Sequence, residues 1–473
     1  MRRPFALAFA LLVPAAFAAT ELTIYNNDLA LVKDRREIDL PKGRSSFSWD
    51  GVAQTLETTS AVFGSPTAWA LEQNYRFDLV SRSVLLAKYV GKEVDLVQET
   101  PAQDGRVVST TLRGRILSVE GERITSFASG GRILLDPPGR VVLPSLPEGL
   151  LVKPTLVLDV QSDKGGRTDA ELRYLCSGLS WRADYVAITD STGSSVDLDG
   201  LVTLENRSGT SYPGATLKLV AGDVNRWREP ARRMYKEDVD YATPMLASMP
   251  MGRSMPAPPQ FQEQGLMEYH LYELQRPTDI LDKEQKQVSF LSAQDAGSRK
   301  RFVFDESLYS RYWWWTRESD TRQGLKCGVI LEVPNRKDRH LGLPLPKGVV
   351  RVYTRDRSGS LQFVGEDGID HTPSGDTLRL ALGQAFDLRG SRTVESSDQQ
   401  DRQKTETVRI DLRNAKSEAV EIDVVEHQAW PTWRVKENSL PFEKRDASTI
   451  VFKVKVPAGG QASVRYTYHA SWK

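Results

Sequence analysis

Polar and apolar residues alternate with a period of two along much of the chain, most clearly at its C-terminal end. One set of alternate positions there is apolar throughout: Ala462, Val464, Tyr466, Tyr468, Ala470 and Trp472. The positions between them, from Gln461 to Ser471, are polar. Successive side chains of a β-strand point to opposite faces of a sheet, so this pattern predicts a strand with one buried and one solvated face.

Similar runs predict further strands at residues 181–189, 215–220, 348–353, 419–426 and 449–456. Short stretches rich in Gly, Pro, Asp and Ser separate the strands, and these stretches are typical of turns. Residues 83–90 instead predict one short helix that ends at Gly91. The sequence therefore predicts an all-β or mainly β protein built from antiparallel β-sandwich domains.

The predicted strands fall into three regions. Residues 19–82 form an N-terminal β domain, and residues 83–160 form a small barrel-like domain of compact strands and tight turns. Residues 161–473 form a C-terminal β-sandwich region, interrupted at residues 225–277. Seven prolines and six of the seven methionines fall in this interruption. Because proline cannot donate to a β-ladder, we expect a long disordered insertion there.

The first 18 residues have the layout of a secretory signal peptide. Arg2 and Arg3 precede an apolar run, and Ala16-Phe17-Ala18 supplies a small-x-small cleavage site. The apolar run is too short for a comfortable membrane span. We therefore expect export to the periplasm or the medium, with no integral membrane segment left after cleavage.

The charge balance argues against one class of partner. The chain has 63 Lys and Arg residues and 62 Asp and Glu residues, and loss of Arg2 and Arg3 with the leader leaves it near neutral. Nucleic-acid binding depends on an excess of basic residues that neutralise phosphates. We therefore expect no nucleic-acid partner.

The two cysteines, Cys176 and Cys327, are too few for a zinc site built on cysteines. In an oxidising compartment they could form a disulfide. Both lie in apolar, strand-like sequence, so two buried free thiols are the alternative.

Common enzyme motifs are absent from the sequence, including GxSxG, HExxH, GxGxxG, CxxC and the phosphate-binding GxxxxGK[ST]. We therefore expect no cofactor, and the balance favours a protein that is not an enzyme. One acidic constellation stands out: Glu366, Asp367, Asp370 and His371. These side chains could bind a hard cation or serve as acid and base. The alternative is a hairpin turn at Asp367-Gly368 with solvated charges.

Two further runs are unusual in composition. Trp313, Trp314 and Trp315 follow Tyr312, and an exposed ring among them could stack on a sugar or a partner protein; a strand buried on both faces is the alternative. The thioethers of Met245, Met249, Met251 and Met255 could bind Cu(I). An unstructured loop with adaptable Met contacts is the alternative there.

Several stretches resemble the bacterial family called domain of unknown function 4139, which occurs in mucoidy-inhibitor-A-like proteins. They include YLCSGLSWRADY (residues 174–185), GLVTLENRSGTSYPGATLKLVAG (200–222), LGLPLPKG (341–348), VGEDGIDHTPSG (364–375) and GQAFDL (383–388). Residues 25–40, 71–79 and 85–94 are similar to the N-terminal part of long members. The resemblance covers most of the chain in matching order.

This resemblance implies a β-sandwich-rich fold and no assigned activity, and it supplies no catalytic residues. The family's name suggests an influence on exopolysaccharide or the envelope. In one common arrangement of the family, coiled-coil segments precede the domain, whereas this chain has the barrel-like segment there.

Two functional hypotheses follow. The first is an exported, non-enzymatic protein that binds an envelope protein or glycan, with sheet edges and loops as the contact surfaces. The alternative is a carbohydrate-active or metal-assisted hydrolase that uses Glu366, Asp367, Asp370 and His371. The sequence leaves the ligand and the oligomeric state open.

Overall fold

The computed structural model describes most of the chain after residue 18. The described residues are 19–76, 81–101, 107–145, 147, 153–222, 224–226, 260–306 and 321–472. Strands make up 69% of the structure and helices 4%, which confirms the predicted mainly β class. Over the described residues, no helix is long and apolar enough to cross a membrane.

Fifteen strands lie in the described part of the N-terminal half. They are β1 (Ala19–Tyr25), β2 (Leu29–Leu40), β3 (Gly43–Asp50), β4 (Val62–Gly64), β5 (Ala68–Arg76), β6 (Glu93–Pro101), β7 (Val107–Glu120), β8 (Arg123–Ser129), β9 (Arg132–Leu135), β10 (Arg140–Val142), β11 (Thr155–Ser162), β12 (Gly166–Cys176), β13 (Leu179–Thr189), β14 (Ser195–Asn206) and β15 (Tyr212–Ala221). Helix α1 spans Arg82–Lys88, and a 3-10 turn spans Thr58–Ser60.

The C-terminal half contributes the others. They are β16 (Phe261–Leu266), β17 (Tyr269–Leu274), β18 (Thr278–Ile280), β19 (Glu284–Gly297), β20 (Arg299–Asp305), β21 (Thr321–Pro334), β22 (Gly348–Arg355), β23 (Leu361–Ile369), β24 (Thr377–Gln400), β25 (Gln403–Asn414), β26 (Val420–His427), β27 (Thr432–Asn438), β28 (Phe442–Lys444), β29 (Thr449–Val456) and β30 (Gln461–Ser471). A 3-10 turn spans Lys337–Arg339.

The strands form five sheets. An eight-stranded sheet has the order β16-β17-β15-β1-β2-β12-β4, with β18 also paired to β15. Smaller sheets have the orders β3-β11-β5, β10-β6-β7-β8-β9 and β19-β14-β13-β22-β23. A nine-stranded sheet has the order β27-β30-β25-β24-β21-β20-β26-β29-β28. Most neighbours are antiparallel, but β1 pairs in parallel with β15, β13 with β22 and β20 with β26.

The strands of residues 19–76 do not form a sheet of their own. Strand β1 pairs with β15, β2 pairs with β12, and β3 and β5 both pair with β11. One hydrophobic core runs through the eight-stranded, three-stranded and β13-containing sheets and includes Leu331 and Val333 of β21 and Leu378 and Leu380 of β24. The rest of the nine-stranded sheet packs around a second core. The boundary predicted between residues 160 and 161 falls inside β11, which spans Thr155–Ser162. This strand lies between β3 and β5, so it belongs to the same sheet as strands of the N-terminal region.

The small sheet corrects the expectation of a closed barrel. Its end strands β10 and β9 have only three and four residues, and no closed barrel is present among the described strands. Helix α1 covers one face instead, with Leu86 and Tyr89 packed against Val94, Ile116 and Phe127. The predicted helix at residues 83–90 is confirmed in position, and the Ser81 side chain caps it by accepting a hydrogen bond from the Val84 N–H.

The expected disordered insertion at residues 225–277 is wrong over its last part. Strands β16 and β17 form a hairpin there, and β17 extends the eight-stranded sheet beside β15. No proline lies between Pro259 and Pro277, so the backbone can donate to a ladder, and Tyr272 and Leu274 are buried. Residues 227–259 lie outside the described part of the chain.

The strands predicted from alternation are confirmed. Strand β30 buries Val464, Tyr466, Tyr468 and Ala470 and leaves the intervening polar side chains on the outer face. The predicted turn at Asp367-Gly368 is wrong, because both residues lie inside β23, paired with β22.

Trp49 anchors the large core. The side chain is fully buried, and Nε1 donates a hydrogen bond to Asp34 Oδ2 at 2.9 Å. Its ring packs edge-on against Phe47 and Phe63, and the Arg36 guanidinium lies 4.8 Å from the ring centroid. This one residue of β3 therefore joins the three-stranded sheet to the eight-stranded sheet, which contains Asp34 and Phe63.

We expect Trp49→Ala to lower the free energy of unfolding by about 3–5 kcal/mol, because it leaves a large cavity and removes a donor from a buried carboxylate. The matched control is Trp69→Ala, since Trp69 is 48% exposed on β5 and should cost no more than about 1 kcal/mol. Urea unfolding followed by circular dichroism measures both. Equal costs would contradict the packing described.

Candidate functional site

The predicted acidic constellation does not converge on a common point. Glu366 and Asp367 are neighbours on β23, so their side chains project to opposite faces. Glu366 forms an ion pair with Arg351 at 3.2 Å. Asp367 accepts backbone N–H groups at both oxygens, from Gly368 at 2.9 Å and from Ala381 of β24 at 2.8 Å. These carboxylates therefore tie strands together.

Asp370 and His371 follow the end of β23. The Asp370 carbonyl oxygen accepts the Thr372 hydroxyl at 2.8 Å, and His371 Nδ1 accepts the Lys347 N–H at 3.2 Å. Among residues that the structure describes, no group of three or more His, Cys, Asp and Glu side chains could hold a metal ion. This geometry gives no support to a cation or an acid–base pair at this position.

Two other predicted sites fall outside the described residues. Trp313, Trp314 and Trp315 lie between residues 306 and 321, and Met245, Met249, Met251 and Met255 lie between residues 226 and 260. The aromatic and copper interpretations therefore stay predictions.

Cys176 and Cys327 are free thiols. Cys176 packs in the large core, whereas Cys327 packs in the core of the nine-stranded sheet, and both are fully buried. Burial raises the pKa of each thiol to about 12. Of the two alternatives left open by the sequence, the structure shows the buried free thiols.

A cleft of about 900 Å³ lies among the described residues. Its walls come from the turn after β1 (residues 26–28), the start of β13 (178–182), the end of β14 (203–207) and residues 224–226 after β15. The lining is rich in amide, hydroxyl, carboxylate and guanidinium groups. We call this the polar cleft.

Strand register explains why these segments meet. Because β1 and β15 are parallel and pair Tyr25 with Val220, the residues that follow both strands emerge at the same end of the sheet. Strands β13 and β14 are antiparallel and pair Leu179 with Asn206, so the start of one adjoins the end of the other. Side-chain contacts of Asn26 and Asp28 with the start of β13 connect the pair β1 and β15 to the pair β13 and β14.

The contacts across the polar cleft involve the turn after β1. Asp28 Oδ1 accepts the Gly178 N–H at 2.7 Å, and Asn26 Nδ2 donates to the Trp181 carbonyl oxygen at 3.4 Å. Gly178 has a φ of +80°, and a Cβ there would lie 2.7 Å from the Arg207 carbonyl oxygen. The glycine is therefore required for β13 and β14 to approach at the cleft wall.

Three arginines line the polar cleft, and each is held by one carboxylate. Arg182 Nε lies 3.2 Å from Asp184, Arg207 Nη2 lies 2.5 Å from Glu205, and Arg226 Nη2 lies 2.6 Å from Glu57. Their side chains are 50%, 76% and 27% exposed. Solvent therefore reaches all three guanidinium groups.

Two buried polar atoms of the cleft residues lack partners. Asn26 Oδ1 and Trp181 Nε1 form no hydrogen bond within the described structure. An unpartnered buried polar atom costs about 1–3 kcal/mol. A ligand whose binding gave either atom a partner would recover part of that cost.

Sequence reasoning did not single out Arg182, Arg207 or Arg226. The available signal was positional: Trp181 and Arg182 lie in YLCSGLSWRADY, and Glu205 and Arg207 lie in the stretch at residues 200–222. Neither stretch carries a catalytic pattern, so only the fold reveals that they share one cleft.

No family model matches the chain, and no curated protein matches it.

We expect Cys176 and Cys327 to resist alkylation in the native protein at pH 8, because both are buried and the reactive thiolate is scarce at a pKa of about 12. Unfolding without a reductant should release two reactive thiols, counted by mass spectrometry after iodoacetamide treatment. Prior reduction of a parallel sample is the control and should not change the count. An unfolded protein with no reactive thiol until it is reduced would contradict the structure.

Proposed function

We propose that the protein is exported to the periplasm or the medium, and that it binds an envelope glycan in the polar cleft without transforming it. The observation that carries the proposal is the cleft itself. Its volume of about 900 Å³ lies in the range of about 300–1,000 Å³ that is usual for ligand pockets.

The chemistry of the cleft wall supports a glycan. Amide groups of Asn26 and Asn27, the Ser180 hydroxyl and the arginines offer donors and acceptors that suit sugar hydroxyls. Protein partners more often bind surfaces whose centre is apolar and aromatic. The concave polar wall therefore favours a glycan over an envelope protein.

The carboxylates of the cleft support binding without hydrolysis. Asp28 accepts a backbone N–H from Gly178, and Glu205 pairs with Arg207. Glycosidases need one carboxylate as acid and a second as base or nucleophile across the scissile bond. Both cleft carboxylates instead have structural partners.

Export predicts a processed protein outside the cytoplasm. Cell fractionation with N-terminal sequencing should find a mature chain that begins at Ala19, because Ala16 and Ala18 provide the cleavage site. A variant with Ala16→Leu and Ala18→Leu is the control and should accumulate as the uncut precursor. Wild-type precursor found intact in the cytosol would refute export.

A bulky side chain at the mouth of the cleft should block binding. Asn27 is exposed in the turn after β1, so Asn27→Trp should weaken glycan binding at least tenfold by steric exclusion. The measurement is an array of envelope glycans followed by calorimetry on the glycans retained. Asn74→Trp on β5 is the matched control, since Asn74 is exposed and does not line the cleft.

Two outcomes would overturn this proposal. One is a wild-type protein that binds no envelope glycan. The other is an Asn27→Trp variant that binds as tightly as the wild type and the Asn74→Trp control.

A further inference from the structure

We infer that the ligand of the polar cleft is an acidic glycan, whose carboxylate, phosphate or sulfate group is bound by Arg182 and Arg226. The inference rests on the proposed function and names its substrate class. It depends on how the charges of the cleft are arranged.

Guanidinium groups outnumber carboxylates among the residues that line the cleft. Three guanidinium groups line it, against the two carboxylates of Asp28 and Glu205. Glu205 is paired with Arg207, and Asp28 holds a backbone N–H. The carboxylates that hold Arg182 and Arg226, on Asp184 and Glu57, are not part of the lining. Among the described lining residues, neither of these two arginines has a carboxylate partner, because both partners lie outside the lining.

Arg182 and Arg226 also keep donors to spare. A guanidinium carries five N–H groups, and each of these two arginines contacts its carboxylate through a single nitrogen. The existing ion pair limits the rotamers of the side chain, so less entropy is lost when a second anion binds. The remaining planar fork fits a carboxylate or a phosphate in two parallel hydrogen bonds.

A neutral sugar would use this arrangement poorly. Neutral glycans are commonly bound by stacking on exposed aromatic rings, whereas the one aromatic residue among the described lining residues, Trp181, is only 3% exposed. Charge-assisted hydrogen bonds are about twice as strong as neutral ones. Affinity in this cleft should therefore come from the anionic group.

Arg182 and Arg226 can each be replaced without leaving a buried carboxylate unpaired. If Arg182 is removed, Asp184 keeps Arg351 at 3.4 Å and the Thr203 hydroxyl at 2.7 Å. If Arg226 is removed, Glu57 is 34% exposed and can be solvated. Replacement by glutamine removes the charge and shortens the side chain, and it keeps a polar amide that can still donate a hydrogen bond.

The experiment measures calorimetric binding of uronic-acid oligosaccharides, phosphorylated oligosaccharides and sulfated oligosaccharides to the mature full-length chain. Each acidic probe is paired with a neutral probe of the same backbone, made by methyl esterification of the carboxylate or by removal of the phosphate or sulfate. The proteins are the wild type, Arg182→Gln, Arg226→Gln and the control Arg167→Gln. Arg167 pairs with Glu37 on the exposed surface of β12 and does not line the cleft.

We expect at least one acidic probe to bind at least tenfold more tightly than its neutral counterpart, and the identity of that probe shows which anionic group is recognised. Arg182→Gln and Arg226→Gln should each weaken that probe at least tenfold, whereas Arg167→Gln should match the wild type. Added salt should weaken the acidic probe more than the neutral one.

The outcomes separate this inference from the proposed function. Equal binding of acidic and neutral probes, or unchanged affinity in both cleft variants, would overturn the acidic class while leaving glycan binding in place. Absence of binding to every glycan, acidic or neutral, would overturn both. Circular dichroism of each variant checks that the fold is intact.

Discussion

The parallel pairing of β1 with β15 is the constraint from which the polar cleft follows. It joins strands separated by almost the whole N-terminal half of the chain, with Glu21 opposite Thr216 and Tyr25 opposite Val220. Lys218 of β15 and Lys33 of β2 both contact Glu21, at 2.9 and 2.7 Å, and help to hold this register. Because the strands run in the same direction, the residues that follow both strands lie at the same end of the sheet, where they form part of the wall of the polar cleft.

Arginines have two different roles in this protein, and burial distinguishes them. Arg392 in the nine-stranded sheet pairs with Glu426, and their side chains are only 13% and 4% exposed. The Tyr466 hydroxyl also donates to Glu426, so this carboxylate has partners on two sides within the core. Such a network is closed to a ligand and favours one arrangement of the strands. Within the described part of the chain, Arg182 and Arg226 instead keep donors that form no contact and that solvent can reach.

Acidic residues that resemble a catalytic or metal site in the sequence instead connect strands in the fold. Asp367 of β23 accepts the Ala381 N–H, so an edge strand of one sheet is tied to β24 of the nine-stranded sheet. Gly365 permits this approach, because a Cβ there would lie 2.4 Å from the Leu382 carbonyl oxygen. The Asp367 carboxylate therefore serves a contact between sheets, whereas Glu366 pairs with Arg351 within its own sheet. A run of acidic residues alone could not distinguish this role from a cation site.

The sequence by itself determined the local structure of the chain. Alternation with a period of two is a property of consecutive residues, so the strand at β30 and the strand at residues 449–456 could be predicted without knowledge of their partners. The helix before Gly91 was equally local, because capping and termination depend on near neighbours. The sequence-based predictions were wrong where one short segment carried signals for two kinds of structure. The prolines around β16 and β17 masked a hairpin, and Asp367-Gly368 resembled a turn.

Only the tertiary structure decided which segments meet. Pairing partners, the open edge of the small sheet and the separation of Cys176 from Cys327 depend on contacts between residues far apart in sequence. The polar cleft is the clearest case, since Asn26, Gly178, Glu205 and Arg226 belong to four distant segments. Their meeting is fixed by strand direction and register, which follow from how buried faces pack together rather than from any one stretch of sequence.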